Sequence, residues 1–233
     1  MDHTAYLERR AQIEHYFDRT AAQAWERLTS TAPVGRIRAT VREGRNRMRA
    51  TLLSWLPQDM RGLRLLDAGC GTGALAMEAM ARGAEVVAID LSPTLVQLAA
   101  ERQAQLPPHP GGGSIRFCSG DMLDEALGHF DHVVAMDSLI HYEVDDMVRA
   151  MQRLAPRTRG SMLITFAPRT PLLAAMHGVG RLFPRSDRSP SLTPVAETAL
   201  RQALHTGLPD WREGRSQRIA KGFYTSQAWE WTR

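Results

Sequence analysis

The chain has few cysteines, a single lysine and no long apolar run, and each of these absences excludes a class of protein. Its two cysteines, Cys70 and Cys118, lie far apart, which argues against a disulfide framework and against a cysteine metal site. No stretch approaches the roughly 18 consecutive apolar residues that a membrane span requires. The first residues lack the charged and then apolar pattern of a secretory signal. The sequence therefore predicts a cytoplasmic protein.

The basic residues are almost all arginines, because Lys221 is the only lysine, and the formal net charge is +4. Arginine suits carboxylates and phosphates, but so small an excess of charge does not call for a nucleic-acid partner. The eight histidines show no His-x-His or His-Glu-x-x-His spacing, so the sequence predicts no zinc site. With 233 residues and a 43% hydrophobic composition, the chain can bury a core without disulfides.

Residues 1–60 have the pattern of helices. No glycine or proline occurs from Asp2 to Ala32, and residues 37–56 form an amphipathic segment. On that segment apolar and basic residues recur at helical spacings, which places each set on one face. The apolar set is Ile37, Val41, Met48 and Leu52, and the basic set is Arg38, Arg42, Arg45 and Arg49. We expect the basic face to be exposed to solvent, and the alternative is that it binds an acidic group of a ligand.

From residue 63 onward, short apolar runs alternate with helical stretches, which is the pattern of a parallel sheet covered by helices. Strands are predicted at 64–67, 85–90, 115–119, 132–136 and 161–166. Helices are predicted at 74–82, 93–105, 144–154 and 195–205, and a closing antiparallel hairpin at 211–219 and 223–231. The expected fold class is therefore α/β and Rossmann-like, with a mostly parallel seven-stranded sheet and helices on both faces.

The sharpest local signal is a glycine-rich loop at the first strand-to-helix junction. It reads Leu-Leu-Asp-Ala-Gly-Cys-Gly-Thr-Gly over residues 65–73. Glycines let the chain turn tightly there and let a ligand approach the backbone, where helix-terminal N–H groups attract an acidic group. The loop also fits the dinucleotide fingerprint, because Asp90 ends the second strand at the spacing of a ribose-binding acid. On the loop alone, a nicotinamide oxidoreductase stays open.

Three further features bear on which cofactor the loop binds. They are an acid before the first glycine, Gly-Asp at 120–121 after the third strand, and the closing hairpin. In these features the region resembles the class I S-adenosylmethionine-dependent methyltransferases, and the resemblance implies S-adenosylmethionine as the cofactor. It assigns the methionine end of the cofactor to Asp67, Gly69, Cys70 and Gly71, the ribose to Asp90 and Leu91, and the adenine to Asp121 and Met122. The competing interpretation is that Asp90 and Asp121 cap the following helices.

The segment after the fourth strand bears on the acceptor. Base N-methyltransferases of this class carry Asn or Asp followed by Pro-Pro and an aromatic residue there, whereas this chain has Met-Asp-Ser-Leu-Ile-His-Tyr over 136–142. No basic strip interleaved with aromatic residues indicates single-strand binding either. We therefore expect a small-molecule acceptor. Asp137 in this segment either contacts the cofactor or caps a helix.

Sequence blocks outside the cofactor motifs narrow the acceptor further. They are Ile-Glu-His-Tyr-Phe-Asp at 13–18, Trp-Glu-Arg-Leu at 25–28, Val-Arg-Glu-Gly at 41–44, the 137–142 segment and Gly-Phe-Tyr-Thr-Ser at 222–226. With these blocks, essentially the whole chain resembles the magnesium-protoporphyrin IX O-methyltransferases of bacteriochlorophyll biosynthesis. The resemblance implies an enzyme of photosynthesis that esterifies one propionate of magnesium-protoporphyrin IX. It points to Tyr16 and His141 as the catalytic pair that orients this propionate through hydrogen bonds.

The same resemblance implies how the chain is divided. It gives a helical lid over 1–60, a methyltransferase core over 61–167 and 194–233, and a substrate-side insertion over 168–193. In the insertion, Met176 and His177 are expected to touch the flat apolar macrocycle. His177 can also ligate the porphyrin magnesium, although a lone histidine on an apolar stretch is more often structural. Arg42 is the candidate for holding the second propionate.

The resemblance also implies a transient partner, the magnesium chelatase that supplies the substrate. The apolar run over 172–179 can serve as a contact with this partner or with a membrane surface, and the sequence does not separate the two uses. We therefore expect a cytoplasmic protein at the periphery of the photosynthetic membrane.

The implied reaction needs no strong base. A propionate should have a pKa close to that of glutamate, about 4.3, so the acceptor is already ionised at neutral pH. The rate then depends on holding the attacking oxygen, the methyl carbon and the sulfur in line, which recovers roughly 7–11 kcal/mol in well-oriented reactions. We expect the site to be built for positioning.

Two other functions stay open. One is a methyltransferase that acts on another small carboxylate or on a phenol, such as a quinone precursor. The other is a non-catalytic porphyrin-binding carrier that has kept the cofactor fold. Tyr16 has an alternative role as an aromatic residue that packs in a helix, and His141 as a histidine that satisfies a backbone carbonyl.

Overall fold

The computed structural model describes residues 11, 36–107, 111–169 and 192–233. Within them, short segments of strand alternate with helices from the first strand to the fifth. The strands are β1 (Arg64–Ala68), β2 (Glu85–Asp90), β3 (Ser114–Ser119), β4 (Phe130–Ala135), β5 (Thr158–Phe166), β6 (Arg212–Lys221) and β7 (Tyr224–Thr232). The helices are α1 (Arg36–Trp55), α2 (Ala74–Ala81), α3 (Pro93–Ala104), α4 (Val144–Leu154) and α5 (Glu197–Gly207).

The seven strands form one sheet in the order β3-β2-β1-β4-β5-β7-β6. Strands β1 to β5 pair in parallel, and β7 runs antiparallel to both of its neighbours, β5 and β6. The predicted fold class, a mostly parallel seven-stranded sheet with helices on both faces, is confirmed. The order also reverses beside β1, because the chain moves outward from β1 through β2 to β3 and then returns to β4 on the other side. Such a reversal opens a crevice at the carboxyl ends of the two central strands.

Alternate residues of β1 point to opposite faces of the sheet, and each face carries its own core. Leu65 packs in a cluster with Met48 and Leu52 of α1, all three fully buried. Leu66 packs in the other cluster, which includes buried residues of α4 and α5. Val41, Met48 and Leu52 of the predicted apolar stripe therefore seat α1 against the sheet, on the same face as α2.

Several helix boundaries follow from local chemistry. Helix α2 starts after Gly73, whose φ of 76° lies in the left-handed region that glycine tolerates. Helix α3 starts after Ser92, whose hydroxyl accepts a hydrogen bond from the N–H of Leu95 at 3.3 Å, and Pro93 follows in the first turn. Here Ser92, and not Asp90, caps the helix.

Most predicted bounds agree to within one or two residues, and three elements start two or three residues away from the prediction. Strands β4 and β5 start earlier, at Phe130 and Thr158, because the two strands already pair there. Helix α5 starts at Glu197 and not at residue 195, because the N–H of Val195 donates to the carbonyl of Ala167 at 2.8 Å and holds this residue beside the sheet. These backbone pairings depend on partners distant in sequence, so local patterns do not reveal them.

The predicted division of the chain stays a prediction. Of the lid over 1–60, the structure describes Ala11 and the part from residue 36 onward, and most of the insertion over 168–193 lies outside the described residues. Among the helices of the described ranges, none combines the length and the apolar character that crossing a bilayer demands.

Gly44 sets how closely α1 approaches β7, so adding one methyl group should destabilise the protein. A Cβ at this position would lie 2.5 Å from Cδ1 of the buried Tyr224 ring. Gly44→Ala should therefore lower the free energy of unfolding by about 1–3 kcal/mol, although alanine alone favours a helix by about 1 kcal/mol. Urea unfolding measures the change. Arg47→Ala, at an exposed position of the same helix, is the control and should be neutral or stabilising; a stable Gly44→Ala protein would show that α1 does not pack closely on β7.

Candidate active site

The glycine loop lies at the carboxyl end of β1, on one side of the crevice. Gly69, Gly71 and Gly73 have φ values of 86°, 53° and 76°, which other residues adopt at a cost. The N–H groups of Gly69 and Cys70 both donate to the carbonyl of Ile89, at 2.8 and 2.9 Å. The loop is therefore bound to the end of β2, and Gly69 and Gly71 line the crevice.

Asp90 connects this loop to the segment that follows β2. Its carboxylate accepts hydrogen bonds from the N–H of Gly71 at 2.8 Å and from the N–H of Ser92 at 3.0 Å. Burial raises the pKa of Asp90, although the backbone hydrogen bonds favour the ionised form. A carboxylate offers about four acceptor positions, so Asp90 can bind these amides and still accept from a ligand.

The main cleft occupies the crevice and has a volume of about 700 Å³, including the open space at its mouth. It is lined by most of the residues that the sequence assigned to the cofactor: Gly69, Gly71, Asp90, Leu91, Asp121, Met122 and Asp137. The predicted catalytic residue His141 lines it as well.

A second, smaller cavity of about 470 Å³ lies behind the glycine loop, and Asp67 and Cys70 line it. Asp67 is 2% exposed, and neither its Oδ2 atom nor the buried hydroxyl of Thr72 makes a hydrogen bond within the described part of the chain. Asn46 and Arg49 of α1 line the opposite side. The cavity therefore contains an acid with one oxygen that makes no hydrogen bond in the described part of the chain, and two side chains of α1 that carry N–H groups. Arg49 already donates to Glu78 and, at 3.1 Å, to Asn46.

Burial strongly perturbs the Asp67 carboxyl. Loss of water and, secondly, the charge of Asp90 raise its pKa to about 7, although the N–H of Ala76 favours the ionised form. An acid in this state gains a great deal from a positively charged partner. The chemistry of the second cavity thus suits a ligand that carries an ammonium group beside a carboxylate.

Asp121 follows β3 across the crevice from the loop. Its Oδ1 atom accepts from the N–H of Leu123 at 2.8 Å and so closes a turn. The single-turn helix Glu125–Leu127 is instead capped by Asp124. Neither Asp90 nor Asp121 therefore caps a helix in the way that the competing interpretation of the sequence required.

His141 lies in the opposite wall of the cleft. It ends the single-turn helix Leu139–His141, is 4% exposed, and its carbonyl accepts from the hydroxyl of Thr193 at 3.3 Å. Tyr142 follows it in the same wall. The wall comes from the segment after β4, whereas the glycine loop follows β1, so the cleft lies between the two central strands.

Asp137 also lines the cleft, but its carboxylate contacts other side chains of the protein. Arg45 of α1 donates to its Oδ2 atom at 2.7 Å, and Tyr224 of β7 donates to its Oδ1 atom at 3.0 Å. The Arg45 and Asp137 side chains are only 17% and 3% exposed. The expected exposure of the basic face is therefore wrong for Arg45, because the crevice brings a buried acid beside it.

The predicted site residues and the residues that form the site in the structure do not coincide completely. Tyr16, Met176 and His177 lie outside the described residues, so their roles stay predictions. Arg42 lies on α1 and does not belong to the described residues that line the two cavities. Arg45 and Tyr224 were missed as site residues. The only sequence signals for them were the arginine stripe and the 222–226 block, and neither indicates a buried partner.

Comparison with known families gives two matches. The family described as "Magnesium-protoporphyrin IX methyltransferase C-terminus" matches residues 135–233. The family described as "Methyltransferase domain" matches residues 65–159. The first range contains the wall with His141 and the hairpin, and the second contains the glycine loop.

Individual proteins resemble the chain over almost its full length. The magnesium-protoporphyrin O-methyltransferase of Rhodobacter capsulatus is 48% identical over 227 residues, which cover 97% of each chain. The protein of the same name from Synechocystis is 27% identical over 202 residues and 86% of each chain. Among solved structures, the magnesium protoporphyrin IX methyltransferase of Synechocystis with bound SAH has a TM-score of 0.82 at 24% identity, covering 96% of this chain and 99% of that one.

The raised pKa of Asp67 predicts that ligand affinity depends on pH. If Asp67 binds the ammonium group of S-adenosylhomocysteine, only the ionised carboxyl attracts it. Below the pKa of about 7 the carboxyl is increasingly neutral. The Kd should therefore rise by up to about tenfold per pH unit below this value and level off above it. Isothermal titration calorimetry between pH 5 and pH 8.5 measures the effect.

Asp67→Asn is the control for this titration, because it should bind weakly with little dependence on pH. A wild-type Kd that stays constant down to pH 5 would exclude the ammonium partner.

The raised pKa of Asp67 also affects the stability of the protein without ligand. The unfolded chain ionises Asp67 near the ordinary value of 3.8 and the folded chain only near 7, so this residue makes stability fall as pH rises through that window.

Proposed function

The chain belongs to the magnesium-protoporphyrin O-methyltransferase family, and on this premise we propose that it transfers the methyl group of S-adenosylmethionine to a propionate carboxylate of magnesium-protoporphyrin IX. The reaction yields the monomethyl ester and belongs to (bacterio)chlorophyll biosynthesis. The observation that carries the proposal is the pair of cavities at the ends of β1 and β4. Asp67, a buried acid with one oxygen that makes no hydrogen bond in the described part of the chain, lines the cavity behind the glycine loop, and the buried His141 lines the main cleft.

The residues present fit the cofactor. Asp67 Oδ2 and the Thr72 hydroxyl are buried polar atoms that make no hydrogen bond among the described residues, and an ammonium group at this point would satisfy the acid. Asn46 and Arg49, on the opposite side of the second cavity, suit the carboxylate of the same amino-acid group. We propose that the methionine end of the cofactor binds here, with Gly69, Cys70 and Gly71 forming the floor.

The rest of the cofactor would extend into the main cleft. Asp90 and Leu91 are proposed to hold the ribose, and Asp121 and Met122 the adenine. The carboxylate of Asp90 is already aligned by two backbone N–H groups, which leaves acceptor positions for sugar hydroxyls. The bound cofactor supplies an electrophilic methyl group on a sulfonium.

The protein's task at the acceptor end is alignment. The propionate is ionised at neutral pH, so no side chain has to remove a proton before attack. His141 can donate a ring N–H to one propionate oxygen and hold the other in line with the methyl group. Tyr16 is proposed as the second donor, and its place in the lid stays a prediction. The assignment of Asp137 to the cofactor stays a prediction, and its carboxylate contacts Arg45 and Tyr224 in the structure.

Substrate recognition by further residues completes the proposal. Arg42 is proposed to hold the second propionate, and Met176 and His177 to contact the macrocycle, with His177 as a candidate axial ligand of the porphyrin magnesium. We also propose transient contact with the magnesium chelatase and peripheral association with the photosynthetic membrane. These expectations are supported by the apolar run over 172–179, since a flat apolar substrate has to be transferred without exposure to water.

A label-transfer assay tests the function. The protein is mixed with methyl-labelled S-adenosylmethionine and either magnesium-protoporphyrin IX or metal-free protoporphyrin, and label is followed into the separated porphyrin ester. We expect label in the magnesium porphyrin and much less in the metal-free one. Porphyrin binding without label would favour a carrier. Label only in a phenol or another carboxylate, such as a quinone precursor, would favour the alternative acceptor class.

His141 and Tyr16 should affect turnover and leave cofactor binding nearly unchanged. His141→Ala and Tyr16→Phe are each expected to lower kcat by roughly 10²-fold, since misplacement of an acceptor by about 1 Å has this effect. The Kd for S-adenosylhomocysteine should change little. His129→Ala is the matched control, because this exposed histidine lies next to the other end of β4. A parallel loss of cofactor affinity would assign the two residues a structural or cofactor-binding role.

A further inference from the structure

Asp137 is held in an unusual backbone conformation. Its φ is 54°, and it is the one non-glycine residue with positive φ in the described part of the chain. This conformation costs about 1–2 kcal/mol for most residues and persists where surrounding contacts impose it. Here its N–H donates to the hydroxyl of Thr165 on β5 at 2.7 Å, and this hydroxyl lies 3.3 Å from the Asp137 carboxylate. The turn after β4 is thereby fastened to the neighbouring strand.

The carboxylate of Asp137 connects elements that are distant in sequence. Arg45 reaches it from α1, and Tyr224 reaches it from the start of β7. Burial and, secondly, the charge of Asp137 raise the pKa of Tyr224 well above its ordinary value, and its hydroxyl donates to the Asp137 carboxylate. A buried charge of this kind is stable only when it is paired and hydrogen-bonded.

Close packing on both sides reinforces these contacts. Gly44, next to Arg45, lies against the Tyr224 ring, where a Cβ would come within 2.5 Å. Gly69 of the glycine loop lies against Ser138, next to Asp137, where a Cβ would come within 2.4 Å. Asp137 therefore lies beside two close contacts, that of α1 with β7 and that of the glycine loop with the turn after β4.

We propose that Asp137 is a positioning residue, whose carboxylate holds α1 and β7 against the turn that carries His141 and so sets the distance between the two walls of the site. We name Asp137, Arg45, Tyr224 and Thr165 the Asp137 clamp. The inference rests on the proposed cofactor site. It differs from direct cofactor contact because Asp137 acts through other residues.

The clamp reaches both cavities. On α1, Asn46 and Arg49 follow Arg45 and line the second cavity opposite Asp67. After β4, Ser138 and His141 follow Asp137 and line the main cleft. Releasing the carboxylate would allow α1 to move away from Asp67 and the turn to shift His141. Cofactor affinity and acceptor alignment should therefore both depend on one buried acid.

A double-mutant cycle on cofactor binding tests the clamp. Arg45→Met, Asp137→Asn and the double variant are titrated with S-adenosylhomocysteine. If the two residues act as one unit, each single variant should weaken binding by about tenfold or more. The double variant should then bind no less tightly than the weaker-binding single variant. Arg45→Lys should restore part of the affinity. Arg47→Met, which removes an exposed ion pair with Glu43 on the same helix, is the matched control and should bind normally.

Direct contact between Asp137 and the cofactor would give a different result. In that case the losses would multiply, to about a hundredfold in the double variant, or Arg45→Met would bind normally. Either outcome overturns the clamp. If Asp137→Asn does not fold, Tyr224→Phe replaces it in the cycle, because phenylalanine keeps the ring that packs on Gly44 and removes only the hydroxyl.

Turnover supplies a readout that a purely structural role would not reproduce. Asp137→Asn should lower kcat at saturating cofactor, but in the His141→Ala background it should lower kcat no further, because the turn then has no histidine to position. An equal further loss in that background would overturn the link to His141. The binding titrations need no acceptor. If the double-mutant cycle shows the expected coupling but the protein does not methylate the porphyrin, the proposed function is rejected and the clamp is retained.

Discussion

The reversal of strand order beside β1 is the constraint on which the rest of the structure depends. Parallel strands end at the same edge of the sheet, and the chain leaves β1 and β4 toward opposite sides. The segments that follow these two strands cannot fill the space between them, so a crevice remains. Within the described part of the chain, the proposed cofactor and acceptor groups that line this crevice all lie at or after the carboxyl end of a strand.

Three buried carboxylates lie around the crevice, and each is accommodated differently. Asp90 is stabilised by backbone amides, and Asp137 by Arg45 and Tyr224. Asp67 has one oxygen with no hydrogen bond among the described residues, and its pKa is raised to about 7. The first two maintain the shape of the site, whereas the third gains most from a charged ligand. The shape of the site and its affinity for a charged ligand thus depend on different carboxylates.

Methyl transfer to a carboxylate places its demands on geometry, since the acceptor is already ionised and the electrophile arrives with the cofactor. The packing of the site agrees with this demand. Gly44 and Gly69 allow α1 and the glycine loop to approach their neighbours at distances that no other residue permits without a shift. A site whose walls are this close leaves little room for misalignment.

The fold class, the glycine loop and the acids at the strand ends could be predicted from the sequence, because each depends on local periodicity or on a short motif. The sequence also placed His141 at the carboxyl end of β4. Only the tertiary structure decided that Arg45 meets Asp137, which lies 92 residues away, and that Ser92 rather than Asp90 caps α3. An arginine on an amphipathic helix has the same pattern whether it faces water or a buried acid. The difference depends on which strand lies beneath it, and that is a property of the assembled sheet.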